Sequence, residues 1–287
     1  MTVPFVHLRL HSEYSLVDGL VKLKSLVSTT AERRMPALAL TDEANLFGLV
    51  KFYKAAQGAG LKPIIGSDLW LSNPHDEAHP YRITLLAMND VGYRNLTELI
   101  SKGWTDGQRQ GRAILDKQWV LAQSEGLIAL SGGREGEIGR HLLSEHEREA
   151  RQLLEEWQQA FPDRFYLELI RTGRPLEEAC VHASVQLAIE TGTPVVATND
   201  VHAHTPSRRA LQDVLTCIRE HCSIDNAGWR LHANAERHLK SPTEMERLIP
   251  EYPDAIARSA AIAEACAFSL DELAYEYPAE VNPGGGA

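Results

Sequence analysis

The chain has 287 residues, 44% hydrophobic and 24% charged, the balance of a globular protein long enough for one large domain or one domain with an appendage. No run approaches about 18 apolar residues, and Met1-Thr2-Val3-Pro4 lacks the basic and apolar regions of a signal peptide, so a cytoplasmic location without membrane contact is expected. The formal net charge of -10 comes without a basic stripe, which argues against a chain that grips nucleic acid by itself. Cys180, Cys217, Cys222 and Cys266 form no C-x-x-C pair, so neither a zinc knuckle nor a disulfide framework is expected.

The alternating run Phe5 to Leu10 reads as a short buried strand that delivers His11 and Asp18 into a Ser/Gly-containing loop. Val21 to Met35 has apolar residues at helical spacing, and Pro36 to Leu40 is a continuous apolar run, as in a strand buried on both faces, followed by Thr41-Asp42-Glu43. Asn45 to Gly60 resumes the helical period, Lys62 to Trp70 is a third strand carrying Asp68, and 71–80 is a polar loop. Arg82 to Ala87 is a fourth strand and Gly92 to Lys102 a helix. A strand and glycine turn follow over 126–133, then helices over 135–143 and 145–161, the second rich in Glu and Arg at spacings of three and four.

Phe165 to Ile170 reads as a strand, Leu176 to Thr191 as a helix stopped by Gly192, and Pro194 to His202 as the last strong strand. Strand followed by helix recurs about seven times, which implies parallel strands with helical crossovers closed into a barrel over residues 1–205. Beyond Thr205 the pattern turns helical (208–220, 242–248 and 253–266), so 206–280 reads as a helical extension, and 281–287 as a flexible tail.

Where the strands finish stand His11, Asp18, Asp42, Glu43, Asp68, Glu168, Asn199, Asp200 and His202. Carboxylates and imidazoles on one rim are what a divalent-metal phosphoesterase uses to generate hydroxide and polarise phosphoryl oxygens. Arg9, two residues before His11, and Arg82, opening the fourth strand, complicate that picture. A guanidinium has no lone pair and cannot be a ligand, so the rim has a second route to neutrality through internal ion pairs. The five tryptophans are scattered, and His75, His79, His141, His146 and His182 read as surface residues. His232, His238 and Cys222 lack the second cysteine of a zinc finger and carry no assignment.

The segments HLRLHSEYSLVDGL, PALALTDEANLFGLVKFYKAA, GLKPIIGSDLWL, LLAMNDVGYRNLTELISKG, GLIALSGG, FPDRFYLELIRTGRP and PVVATNDVH together resemble the polymerase and histidinol phosphatase (PHP) domain of the alpha subunit of bacterial DNA polymerase III. The later GWRLHANAERHLKSPTEM and FSLDELAYEYP look more like the error-prone paralogue, which leaves the branch open. The resemblance implies a distorted seven-stranded α/β barrel with nine ligands for up to three metals. His11, Asp18, Asp200 and His202 stand as that pattern has them. Asp68 replaces a glutamate, Glu43 a histidine, Arg9 and Arg82 histidines, and Gly133 a cysteine. A degenerate domain that scaffolds a polymerase, its 206–280 extension leading toward the polymerase body, and that docks the proofreading exonuclease or other replication or repair subunits is the first expectation. In it the remnant ligands are His11, Asp18, Asp68, Asp200 and His202, with Glu43 as a further candidate; no fully bound metal is expected, a single zinc or manganese ion at His11, Asp200 and His202 being the most such a remnant would hold. DNA is then met mainly through the full-length protein, and magnesium belongs to a polymerase site outside this sequence. The alternative is an active metal-dependent 3'-5' exonuclease or phosphoesterase. A third is phosphate held by Arg9 and Arg82 without turnover.

Overall fold

The computed structural model describes residues 3–15 and 19–273. Its strands are β1 (Ala37–Leu40), β2 (Lys62–Leu71), β3 (Tyr81–Ala87), β4 (Gln108–Arg109), β5 (Arg112–Leu115), β6 (Leu127–Leu130), β7 (Phe165–Ile170) and β8 (Val195–Thr198). The helices are α1 (Leu23–Glu32), α2 (Leu49–Gly58), α3 (Asp90–Thr105), α4 (Lys117–Ala122), α5 (Glu137–Leu143), α6 (Glu147–Ala160), α7 (Glu177–Thr191), α8 (Arg209–Arg219), α9 (Ile224–Ala227), α10 (Pro242–Leu248) and α11 (Pro253–Ala265). Each long helix that the periodicity predicts is present within a few residues of its expected ends, and Gly192 ends α7 in the left-handed conformation (φ 71°). Among the described residues no helix is long and apolar enough to cross a membrane.

The sheet closes on itself. Neighbours run β1, β2, β3, β6, β7, β8, with the β4–β5 hairpin added to the end of β2. The first segment fills the remaining gap: Ala39 and Thr41 donate to the carbonyls of His7 and Leu10, and on the other side His11 N donates to Val201 O at 2.8 Å. The strand expected over Phe5 to Leu10 is therefore an extended stave held by single bridges, Leu10 to Val201 and Ser12 to Val21, and not a laddered strand.

One expectation is corrected within the barrel. Strand β3 is antiparallel to both β2 and β6, while the other pairings around the ring run parallel. The β2–β3 connection has no helix, and a short loop can only turn the chain back, whereas a parallel return needs a crossover. Because β3 runs backwards, its first residues lie beside the last residues of β2, in the register Asp68 to Thr84 and Trp70 to Arg82. A residue that opens a strand thus reaches the rim where its neighbours end.

Side chains alternate along strands, so Ile64 and Asp68 share a face of β2, Leu86 and Thr84 one of β3, and Val196 and Thr198 one of β8. Ile64, Leu86 and Val196 pack together with Leu130 at one end, beneath Ile262 and Ala263 of α11. Asp68, Thr84 and Thr198 stand at the other end, fully buried but polar. The helical segment after residue 206, described as far as Leu273, is bound to the barrel, since Val6 N donates to Ser259 Oγ at 2.9 Å.

Phe52 of α2 is fully buried among Leu38, Leu40 and Ile65. Truncating it removes apolar contacts and leaves a cavity, so Phe52→Ala should cost about 3–5 kcal/mol. Urea unfolding should show a lower midpoint with an unchanged slope; an unmoved midpoint would contradict this packing.

Candidate functional site

The polar end of the barrel centres on Arg9, a guanidinium 1% exposed. Its Nε and Nη2 donate to Asp68 Oδ2 at 3.0 and 2.9 Å, its Nε lies 3.3 Å from Asp200 Oδ1, and its Nη1 lies 3.8 Å from Glu168 Oε2. Three carboxylates from three different strand ends therefore meet one arginine. Burial opposes the charge on Arg9, but Asp200, Asp68 and Glu168 outweigh it and hold the guanidinium well above its ordinary pKa.

Arg82 supplies the second cation. Its Nη2 donates to Glu43 Oε2 at 3.0 Å, its Nη1 lies 3.2 Å from Asp68 Oδ2, and its guanidinium stacks 3.6 Å from the Trp70 ring centre. Asp68 accepts in addition from Thr84 Oγ1 at 3.0 Å and sits 3.0 Å from His11 Nε2. Burial pushes the Asp68 carboxyl up, yet Arg82, Arg9 and His11 together hold it below the usual carboxylate range.

The third cation comes from a residue that the sequence reading does not single out. After Thr205 the chain makes a helical excursion and returns, and Asn199 Nδ2 fixes the return by donating to the carbonyls of Glu236 (3.0 Å) and His238 (2.8 Å). That brings Arg237 onto both Asp200 and His202. Burial raises the Asp200 carboxyl, but Arg237 and Arg9 drive it well below the usual range. Asp200 is a non-glycine residue in the left-handed region (φ 45°), a conformation costing of order 1–3 kcal/mol that persists where surrounding contacts over-determine it.

Glu168 carries the opposite shift. Burial raises its pKa, and Arg9, the Thr198 hydroxyl at 2.7 Å and the Gly132 amide at 2.6 Å only partly offset that. Gly132 is required here: it has φ 80°, and a Cβ on it would lie 2.2 Å from the Arg82 carbonyl oxygen. On the same side Glu135 pairs with Arg174 at 2.5 Å; burial raises its carboxyl, but Arg174 and Arg82 bring it down to about 2.

The structure thus brings together Arg9, His11, Glu43, Asp68, Arg82, Asp200 and His202 of the sequence-selected residues. Gly133 is one residue further along the β6 turn, with φ 55° and Ile170 Cδ1 2.8 Å from where its Cβ would be. Asp18 lies outside the described residues. Asp42 turns away from the rim to accept from Ser12 N (2.6 Å) and Ser12 Oγ (2.9 Å). His232, unassigned in sequence, lies with its ring centre 6.1 Å from that of His202. Arg237 and His232 left no readable signal, because only the return of the excursion puts them beside the strand ends.

His11, Asp200 and His202 offer donor atoms within 4.8 Å of one another, all buried. Their nitrogen and oxygen atoms suit a single zinc or manganese ion in composition. Such an ion must displace Arg237 from Asp200 and His202. A multinuclear cluster does not fit, because Asp68, Glu168, Asp200 and Glu43 each face a guanidinium that can neither ligate nor lose its charge.

The PHP domain model matches residues 7–172. The chain belongs to the PHP domain family. It is 46% identical to DNA polymerase III subunit alpha of Pseudomonas aeruginosa over 285 residues, covering 99% of this chain and 24% of that protein. Against the same subunit of Pseudomonas fluorescens it is 49% identical over 266 residues (93% and 23%), and against that of Escherichia coli K12 43% over 262 residues (91% and 23%). The PHP chain spans about a quarter of the length of these relatives. Among solved structures, an amidohydrolase from Chromobacterium violaceum with bound sulfate and no metal overlaps it with a TM-score of 0.48 at 15% identity, over 70% of this chain and 88% of that one.

Removing one member of a buried ionic network leaves its partners uncompensated, at about 3–5 kcal/mol, so Arg9→Met should lose that much at neutral pH. Asp68 and Asp200 have depressed folded pKa values. The stability they contribute is full above the unfolded value of about 3.9 and is lost as pH falls through the folded values. Without Arg9 those folded values rise, so the gap between variant and native chain should narrow below about pH 4. Urea unfolding at pH 7 and pH 3 tests this, and an equal gap at both would show that Arg82, His11 and Arg237 keep Asp68 and Asp200 ionised without Arg9.

Proposed function

We propose that this PHP domain is part of a DNA polymerase III alpha chain and serves it as a scaffold, its hydrolytic rim replaced by an arginine–carboxylate network. The observation that supports this most is the trio Arg9, Arg82 and Arg237 among Asp68, Glu168, Asp200 and Glu43. Fixed guanidinium charges neutralise the carboxylates that divalent ions would otherwise need, and they do so without exchange or pH dependence near neutrality. The polymerase site with its magnesium, and DNA contact, belong on this reading to the remainder of the longer chain. The proofreading exonuclease and other replication or repair subunits are the partners that such a scaffold would dock. Membership of the error-prone branch has no support beyond the late sequence segments.

The second reading, a metal-dependent phosphoesterase or 3'-5' exonuclease, is favoured by the His11, Asp200 and His202 group alone. Phosphate held by Arg9 and Arg82 is less favoured, since both guanidiniums are already bound by carboxylates and buried.

Elemental analysis of the full polymerase chain purified without chelator, beside a phosphodiester assay with added zinc or manganese, separates these readings. Fewer than about 0.2 ions per chain at saturating ion, counted as the difference between the native chain and His11→Ala so that the polymerase site cancels, and no hydrolysis are expected at this rim. Gain of bound metal should need Arg9→His, Arg82→His and Arg237→Ala together; Gly133→Cys is left out because its side chain meets Ile170. Two or more ions per rim with hydrolysis lost in His11→Ala would put the phosphoesterase reading first.

A further inference from the structure

Helix α8 ends in a cap that puts two cysteines together. Past its last turn His221 adopts the left-handed conformation (φ 50°), and the chain folds back so that His221 N donates to Ile218 O at 3.3 Å and Cys222 N to Cys217 O at 3.0 Å. These are the paired bonds of a Schellman cap, in which the side chain that closes the turn packs against the one that opens it. Here those side chains are Cys222 and Cys217, and the two thiols interact directly. Burial, then that contact, then nearby Asp213 push the Cys217 thiol up. Cys217 is buried and Cys222 half-buried, so a small reagent in solvent reaches Cys222 first. Cys180 and Cys266 are buried elsewhere, and burial pushes their thiols up to about 11 and about 12.

We propose that Cys217 and Cys222 form a reversible redox site, which closes to an intramolecular disulfide when a low-molecular-weight disulfide is in excess. The Cys222 thiolate attacks one sulfur of the small disulfide, whose S–S bond breaks; one small thiol leaves and a mixed disulfide remains on Cys222. Deprotonated Cys217 then attacks the Cys222 sulfur, the second small thiol leaves, and the S–S bond is now within the protein. Two cysteine thiols are oxidised by two electrons in total, one disulfide is reduced to two thiols, and the two protons lost by the cysteines end on those leaving groups. Only a thiolate attacks, so the raised pKa of Cys217 slows closure, and the equilibrium is the better readout. A bridge over so short a span, with one sulfur near solvent, belongs to the labile class of disulfide and not to the permanent cross-links. A zinc ion is the weaker alternative, since two thiolates are half of a tetrahedral set and the three-ligand group found among the described residues is at His11, Asp200 and His202. Closure fixes the last turn of the helix whose first turn, through Arg209, holds the carbonyls of His232 and Ala233.

The test equilibrates the intact chain that contains this domain with reduced and oxidised glutathione, quenches with acid, alkylates the remaining thiols and reads the peptides by mass spectrometry. Two thiols so closely linked meet at an effective concentration of order millimolar, so at about 0.1 mM reduced glutathione the closed bridge should outnumber glutathione on Cys222 about tenfold. Cys217→Ala should leave glutathione on Cys222, Cys180 and Cys266 should stay reduced, and dithiothreitol should restore both thiols of the pair. Glutathione on Cys222 beside a reduced Cys217 in the native chain would overturn the proposal. So would two thiols still reduced under excess oxidised glutathione, or a bridge from Cys222 to a second chain. Equal oxidation of Cys180 and Cys266 would overturn it as well, because it would report opening of the fold and not a built pair. None of these outcomes touches the scaffold reading of the rim.

Discussion

Arg9 is the constraint on which the rest of this barrel depends. Closing a ring of strands brings their ends together, and in this sequence those ends carry Asp68, Glu168 and Asp200. Three buried carboxylates within reach of one another repel and lose hydration, a cost that must be offset by cations or by protonation. The cations are visible in the structure. Asp68 and Asp200 remain ionised against Arg9, Arg82 and Arg237, while burial raises the pKa of Glu168. Because a guanidinium presents several donors in a fixed plane, one Arg9 serves strand ends that a lysine would satisfy one at a time.

Two topological features deliver the other cations. The reversal of β3 lays the start of one strand beside the end of another, which is how Arg82 reaches Asp68 and Glu43. The excursion between Thr205 and Glu236 returns under the control of Asn199, whose amide holds two carbonyls on either side of Arg237. Remote stretches thereby complete one electrostatic unit. The same arrangement explains why the His11, Asp200 and His202 group is not simply available: a divalent ion there competes with a cation already attached to the chain.

The excursion links the rim to the outside of the molecule. Its inner side contributes Arg237 and His232 to the neighbourhood of His202, and its outer side presents Leu211, Val214 and Ile218 of α8.

The sequence by itself determined most of the local structure and half of the site. Helical spacing and apolar runs are properties of neighbouring residues, so α1 to α3, α5 to α8, α10 and α11 and the buried strands were legible, as were Arg9 and Arg82 as cations among strand-end carboxylates. The short β4–β5 hairpin and α4 were missed because segments of two to six residues carry too few periods to register. Tertiary structure alone decided the direction of β3, the weak single-bridge pairing of Phe5 to Leu10, and the arrival of Arg237 on Asp200. Those features depend on which distant segments become neighbours when the ring closes. Charge pairing at the rim is a matter of a few ångströms, and no spacing along the chain encodes it.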